Sequence, residues 1–310
     1  MLRIASLGEC MIELSESAGP NDRAAGGYGA MQRTFGGDSL NTAVYLARSL
    51  PKGAGEVHYV TALGDDPFSA EMLAAWQAEK LKTDLVARLP GKLPGLYIIR
   101  TDAAGERTFH YWRSAAAARD LLQAEAAPRL AAALAGFDLI YLSGITLGIL
   151  DADSRERLYG LLARLRQGGS RIAFDTNYRP RLWQDRAEAQ EAVRRTLSLA
   201  DLALPTHEDE VALFDDASPE ATAERLHGLG VREVIVKCGG TPCLISLEGK
   251  QSRVAGETVA HPVDTTAAGD SFNGGYLATR LNGADPEESA RAGHRLAARV
   301  IQTKGAIIPA

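Results

Sequence analysis

Cysteine is scarce: Cys10, Cys238 and Cys243 are the whole complement in 310 residues. Three thiols cannot all pair within one chain, and disulfide-stapled secreted folds belong to much shorter sequences. Long apolar runs are missing as well. The longest, near Leu139–Leu150, is broken by Ser143, Gly144 and Thr146 and is too short to span a bilayer. The opening MLRIASLGE offers no apolar signal-peptide core before Glu9. Nor is there a basic block: 34 Lys and Arg face 39 Asp and Glu, for a net charge of −5, which argues against nucleic acid and anionic membrane as partners. A cytoplasmic protein is the expectation.

The usual nucleotide signatures are absent too. No G-x-x-x-x-G-K-[ST] loop and no protein-kinase catalytic loop occur, and no third glycine completes G-x-G-x-x-G around Gly26–Gly29. The six histidines show no H-E-x-x-H spacing. Cys238 and Cys243 lack a second Cys/His pair, so they read as core or strand-end residues rather than zinc ligands. No fixed-period repeat or linker-like break divides the chain.

What is present is ordinary globular composition, 45% hydrophobic and 24% charged, in a chain long enough to bury a sizeable core. A βα rhythm runs through it. Strands are predicted at Arg3–Leu7, Val57–Ala62, Leu139–Ser143, Ile172–Asp175, Leu202–Pro205 and Val234–Cys238. Helices are predicted at Ser39–Leu50, Ser69–Lys80, Ser154–Gln167, Ala187–Leu199 and Ala221–Gly228, then from Gly269 to Asn282 and from Pro286 to Lys304. Such alternation implies a mostly parallel sheet with helices on both faces. On the helix at Ser154–Gln167, Arg155, Arg157, Arg164 and Arg166 read as a solvated face. Two segments break the rhythm: the polar, Gly-rich Glu13–Phe35, and Gly95–Arg113, which reads as a hairpin around Asp102–Gly105. Both suit a small β lid, or an ordinary surface hairpin. The division expected is 1–12, 36–94 and 114–310 as the α/β body, with 13–35 and 95–113 as the lid.

Two motifs carry chemistry. In Asp264-Thr-Thr-Ala-Ala-Gly-Asp270, small residues at Ala267, Ala268 and Gly269 let backbone N–H groups converge at a helix start. That makes an anion cradle, with Asp270 set to take a proton from an attacking hydroxyl. The same residues also suit a plain helix start with Asp270 facing the dipole. In Gly36-Gly37-Asp38-Ser39-Leu40-Asn41, the glycines permit close backbone approach to a ligand. Asp38 or Ser39 can cap the helix, and Asn41 can reach substrate hydroxyls.

Together, about 230 residues apart, these motifs resemble the signature pair of the ribokinase-like, or PfkB, carbohydrate kinases, and the resemblance covers essentially the whole chain. Within that family the chain looks most like the branch that phosphorylates 2-keto-3-deoxygluconate. The stretches that carry this are GECMIELS, PGLYIIRTDAAGERTFHYWR, FDTNYRPRLW, DTTAAGDSF and HRLAARVIQTKGAIIP. The resemblance implies a ribokinase-like α/β fold and ATP-dependent phosphorylation of that acid to 2-keto-3-deoxy-6-phosphogluconate, with Mg²⁺ and room for a monovalent cation. It implies Asp270 as base and Ala267–Gly269 as anion hole. Gly36, Gly37, Tyr97, Tyr111, Arg113 and Arg179 would hold the acid sugar. Asn177, Lys237, Gly239 and Gly240 would lie on the nucleotide side, where Arg179 can also lean. Association of two copies through the lid is a further implication. A kinase for a neutral sugar such as fructose or ribose is the alternative. Many relatives carry Asn-x-x-Glu after the strand ending near Pro205; here Thr206 and Asp209 stand in its place, and no metal-organising residue is assigned. In a strand, Tyr111 and Arg113 share one face and Trp112 takes the other. A planar guanidinium suits carboxylate recognition.

Overall fold

The structure, a computed structural model, describes residues 1–16, 30–101 and 107–309. Its first half runs β1 (Leu2–Leu7), β2 (Met11–Glu16), β3 (Met31–Gly36), α1 (Asp38–Ser49), β4 (Gly55–Val60), β5 (Ala62–Leu63), α2 (Pro67–Ala78), β6 (Ala87–Arg88), β7 (Gly95–Thr101), β8 (Arg107–Trp112), α3 (Ala126–Ala133), β9 (Leu139–Ser143) and α4 (Gly144–Ile149). There follow α5 (Ala152–Gln167), β10 (Arg171–Asp175), α6 (Arg186–Leu197), β11 (Leu202–Ala203), α7 (His207–Phe214), α8 (Pro219–Gly228), β12 (Glu233–Cys238), β13 (Thr241–Leu247), β14 (Lys250–Val254), α9 (Ala268–Leu281) and α10 (Pro286–Val300).

Among the described residues the main sheet has eight strands, in the order β14-β13-β12-β11-β10-β9-β1-β4. From β12 to β4 all neighbours are parallel, and β13 and β14 are antiparallel. Its strands are apolar on both faces, as sheets covered on both sides require. Successive residues alternate sides: Ile140, Leu142, Phe174, Val234 and Val236 join one core, while Leu139, Tyr141, Ala173 and Ile235 join the other. The chain builds outward from β1 to β4, then crosses back to β9. The switch of direction therefore lies between β1 and β9, where open α/β sheets leave a crevice at the strand ends.

A second sheet has the order β3-β2-β7-β8, with β2 and β7 parallel. Both segments that broke the βα rhythm enter it. The predicted turn Asp102–Gly105 and the middle of Glu13–Phe35 lie outside the described residues.

Several expectations change. The hairpin β13–β14 was not anticipated; its turn residues Glu248 and Gly249 have φ of 51° and 78°, the conformation of a tight hairpin turn. The apolar run at Leu139–Leu150 is a strand followed at once by α4, whose first turn Ser143 caps through Ile145 N–H at 3.2 Å. Helices α2, α5 and α6 begin earlier than predicted, because Asp66, Asp151 and Asp185 are their caps. The last helix ends at Val300 rather than Lys304. The arginines of α5 are not a uniformly solvated face. Arg155 pairs with Glu188, donates to Leu150 O at 3.0 Å and stacks on Trp183, while Arg157 donates to Leu122 O at 3.1 Å. The three cysteines are free, and Cys10 and Cys243 are buried.

Candidate active site

Helices α1 and α9 meet at the crevice; α1 follows Gly36–Gly37, and α9 carries Gly269 in its first turn. Neither has a side-chain cap: Gly37 and Ala267 hold the cap positions. The capping expected of Asp38 or Ser39 is thus not observed. Asp38 instead accepts from Ser143 Oγ at the end of β9 and from Asn177 Nδ2 at 2.9 Å. Ser39 Oγ meets Tyr59 Oη at 3.1 Å. The glycines are needed for space. A Cβ on Gly36 would collide with the Tyr97 hydroxyl, and one on Gly37 with the backbone oxygen of Glu9.

Asp270, in the first turn of α9, is buried. Asn41 Nδ2 donates to its Oδ2 at 2.9 Å, so Asn41 faces the carboxylate. Burial, with repulsion from Asp38 and Asp175, pushes the Asp270 carboxyl up to about 8, against the pull of Asn41 and Lys237. Burial likewise raises Asp38. The preceding loop is braced by Asp264, which accepts from Thr266 N–H at 3.0 Å and Gly305 N–H at 2.9 Å. Of the expected anion-hole residues, Ala268 gives its N–H to Thr265 O at 3.2 Å, whereas Gly269 faces the cleft charge: a Cβ there would stand 3.5 Å from Lys237 Nζ.

Lys237 is buried at the end of β12. Its Nζ donates to Asp175 Oδ2 at 2.7 Å and Asn273 Oδ1 at 3.2 Å, and Asn273 Nδ2 also donates to Asp175 Oδ2 at 2.7 Å. Gly239, with φ of 56°, and Gly240 form the turn that follows. Arg179 lies at this same end. Half-exposed, it donates to Tyr178 O at 2.7 Å and to Asp209 Oδ1 at 3.1 Å. Burial raises the Asp209 carboxyl, and Arg179 opposes the shift. Asn177, expected on the nucleotide side, instead donates to Asp38. It holds φ of 35°, a left-handed conformation that Asn tolerates better than most residues.

At the other end, Tyr97 is buried and its hydroxyl donates to Glu13, which also accepts from Thr34 Oγ1 at 3.0 Å. Tyr111 is half-exposed, 5.8 Å from the Tyr97 ring, and the Arg113 guanidinium lies 5.8 Å from the Tyr111 ring centre. Trp112 is 58% exposed. Arg113 does not stand open: it pairs with the buried Glu9.

Asp175, Asn273, Glu9 and Glu13 were not singled out from sequence. Asp175 had a legible signal, an acid closing a predicted strand, where α/β sheets bind ligands. Asn273 was hidden inside a helical pattern. Among the described residues, no group of three or more His, Cys, Asp or Glu could hold a metal ion. Mg²⁺ keeps waters and phosphate oxygens and takes one or two protein carboxylates. Asp209, beside Arg179 and Lys237, is a carboxylate available to it.

A parallel sheet with its switch point at β1/β9, a small second sheet beside it and a carboxylate at the start of α9 define a ribokinase-like α/β protein. The chain belongs to the pfkB family carbohydrate kinases, matching that family over residues 1–310. It is 49% identical to the 2-dehydro-3-deoxygluconokinase of Dickeya dadantii (strain 3937), over 99% of this chain and 96% of that protein. It is 48% identical to the 2-dehydro-3-deoxygluconokinase of Escherichia coli (strain K12), over 99% of this chain and 97% of that protein. A fructokinase of Vibrio alginolyticus is 28% identical over 81% of this chain and 78% of its own length. Among solved structures, a PfkB protein from Polaromonas sp. JS666 superposes with a TM-score of 0.84 at 26% identity, covering 98% of this chain and 96% of that one. A putative ribokinase II from E. coli in complex with ATP and Mg²⁺ superposes with a TM-score of 0.85 at 21% identity, covering 99% and 94%.

Proposed function

We propose that the protein transfers the γ-phosphoryl group of ATP to the terminal hydroxyl of 2-keto-3-deoxygluconate, releasing ADP and 2-keto-3-deoxy-6-phosphogluconate. The observation that carries the reading is Asp270, a buried carboxylate at a helix start, next to Lys237 and Gly269. Curated relatives of near-half identity across the whole chain support the acid as substrate.

In this reading the sugar hydroxyl points at Asp270. As the hydroxyl oxygen bonds to the γ-phosphorus, its proton passes to the Asp270 carboxylate and the bond to the ADP oxygen breaks. A base whose pKa lies near the working pH suits that transfer. The α9 N-terminus, Gly269 N–H and Lys237 hold the charge that develops on the phosphoryl oxygens. Asn41 orients the base. Lys237, with the turn at Gly239–Gly240, lies on the nucleotide side, and Arg179 leans toward the transferring phosphate. Asp209 would be the carboxylate that helps hold Mg²⁺, which would supply charge neutralisation to the phosphates when bound. Arg113 and Tyr111 take the substrate carboxylate end, with Gly36, Gly37 and Tyr97 around the sugar.

The second sheet, β3-β2-β7-β8, is the lid; it excludes water so that phosphoryl transfer outcompetes hydrolysis. Trp112 gives it apolar surface against which a second copy can pack. Among the described residues no helix is long and apolar enough to cross a membrane, and an ATP-using sugar kinase belongs in the cytoplasm.

The test is ADP release over a panel of 2-keto-3-deoxygluconate, aldonic acids, fructose and ribose, with the product identified by mass. The keto acid should show the highest kcat/KM. A higher value for fructose or ribose would replace this reading with that of a neutral-sugar kinase.

A further inference from the structure

Among the described residues the chain passes four times between the main domain and the lid: at Gly8–Cys10, Gly36–Gly37, Pro94–Gly95 and Trp112–Arg113. Glu9 touches the other three crossings. Its backbone oxygen fills the space a Cβ on Gly37 would need, and its Oε1 lies 2.8 Å from where a Cβ on Gly95 would stand. Its Oε2 accepts from Arg113 Nη2.

The side chain of Glu9 is 1% exposed and that of Arg113 12%. Burying such a pair is costly, and apolar residues in its place are often at least as stable. The pair is also incomplete: among the described residues, Glu9 Oε1 and Arg113 Nε are both buried without a hydrogen-bond partner. Buried polar atoms in purely structural networks are normally satisfied. An arginine side chain has much rotamer freedom to lose. Anchoring one guanidinium nitrogen removes that freedom before a ligand arrives and leaves the other terminal nitrogen, Nη1, for it.

We propose that Glu9 is the positioning residue that sets the Arg113 guanidinium for the substrate carboxylate, and is therefore a determinant of acid selectivity. The proposal rests on the acid-sugar reading above. Burial raises the Glu9 carboxyl and Arg113 pulls it back, with Arg119 assisting and Asp38 opposing.

The experiment measures kcat and KM separately for 2-keto-3-deoxygluconate and for its neutral primary amide. Glu9→Ala, Glu9→Gln, Arg113→Ala and the Glu9→Ala/Arg113→Ala double variant are compared. Losing an oriented, charged hydrogen bond costs about tenfold or more. Glu9→Ala should raise KM for the acid by about that factor, leave kcat within about threefold and change the amide little. Glu9→Gln, which keeps an acceptor for Nη2, should recover most of the loss. In the Arg113→Ala background, Glu9→Ala should add nothing. If Glu9→Ala fails to fold, Glu9→Asp carries the same test, since the shorter carboxylate draws the guanidinium out of place. Equal losses on acid and amide, a loss confined to kcat, or a full further loss in the double variant would make Glu9 a structural residue and overturn the proposal. If Arg113→Ala itself treats acid and amide alike, the acid-recognition reading fails first, and Glu9 falls with it.

Discussion

Asn41 Nδ2 donates to Asp270 Oδ2 at 2.9 Å, joining two helix starts 229 residues apart in the chain. Thr42 Oγ1 adds a bond to the Asp270 backbone oxygen at 3.3 Å. One carboxylate oxygen is thereby held, and the other is left to accept a proton. The two Gly-bearing motifs thus form one constellation, because α1 and α9 pack against each other.

Asp270→Asn retains size and the bond to Asn41 but cannot take a proton. Turnover should fall by about 10²–10⁴-fold, the usual contribution of a general base, with sugar KM little changed. Because the free carboxyl titrates at about 8, wild-type kcat/KM should climb as pH rises toward 8 and level off above it. A flat profile between about pH 6 and 9 would deny Asp270 this role.

The same shift has a consequence for stability. An unfolded Asp titrates near about 3.9, whereas folded Asp270 keeps its proton to about 8. Between those values the folded state binds more protons, so this residue's contribution to stability declines as pH rises through that window. Asparagine does not titrate. The melting temperature of Asp270→Asn should therefore exceed that of the wild type by a margin that widens from about pH 5 to pH 8. A constant margin would contradict the raised carboxyl.

Lys237 neutralises Asp175, which is 3% exposed. Lys237→Met leaves that carboxylate buried and unpaired, at a cost of about 3–5 kcal/mol. Urea midpoints should drop accordingly, and adding Asp175→Asn should restore much of the loss. Unchanged midpoints in Lys237→Met would mean that the pair is not energetically coupled.

Arg179 is tied to Asp209 at the Lys237 end of the cleft. Arg179→Ala should lower kcat by roughly tenfold or more on acid and neutral substrates alike, as loss of a charged contact to the transferring phosphate requires. A loss restricted to the acid would move Arg179 to the carboxylate end.

Much of the scaffold was legible because local rules act over a few residues. Strands β9, β10 and β12 showed as short apolar runs, and the α9 start showed as small residues before an acid. Helix starts lie one or two residues before their expected positions where the cap lies upstream, by two at Asp66 and Asp151. The stretch FDTNYRPRLW carries no local sign that Asn177 takes a left-handed backbone and gives its amide to Asp38.

The sequence by itself determined the βα order, the two glycine-bearing helix starts and Asp270 at one of them, since each depends on periodicity, backbone space or the helix dipole. Only the tertiary structure decided the charge pairs: Glu9 with Arg113, Lys237 with Asp175, Arg179 with Asp209. Those partners lie between 30 and 104 positions apart along the chain. Which carboxylate meets which cation is set by strand order and helix packing, and burial then fixes how strongly each pair holds its charge.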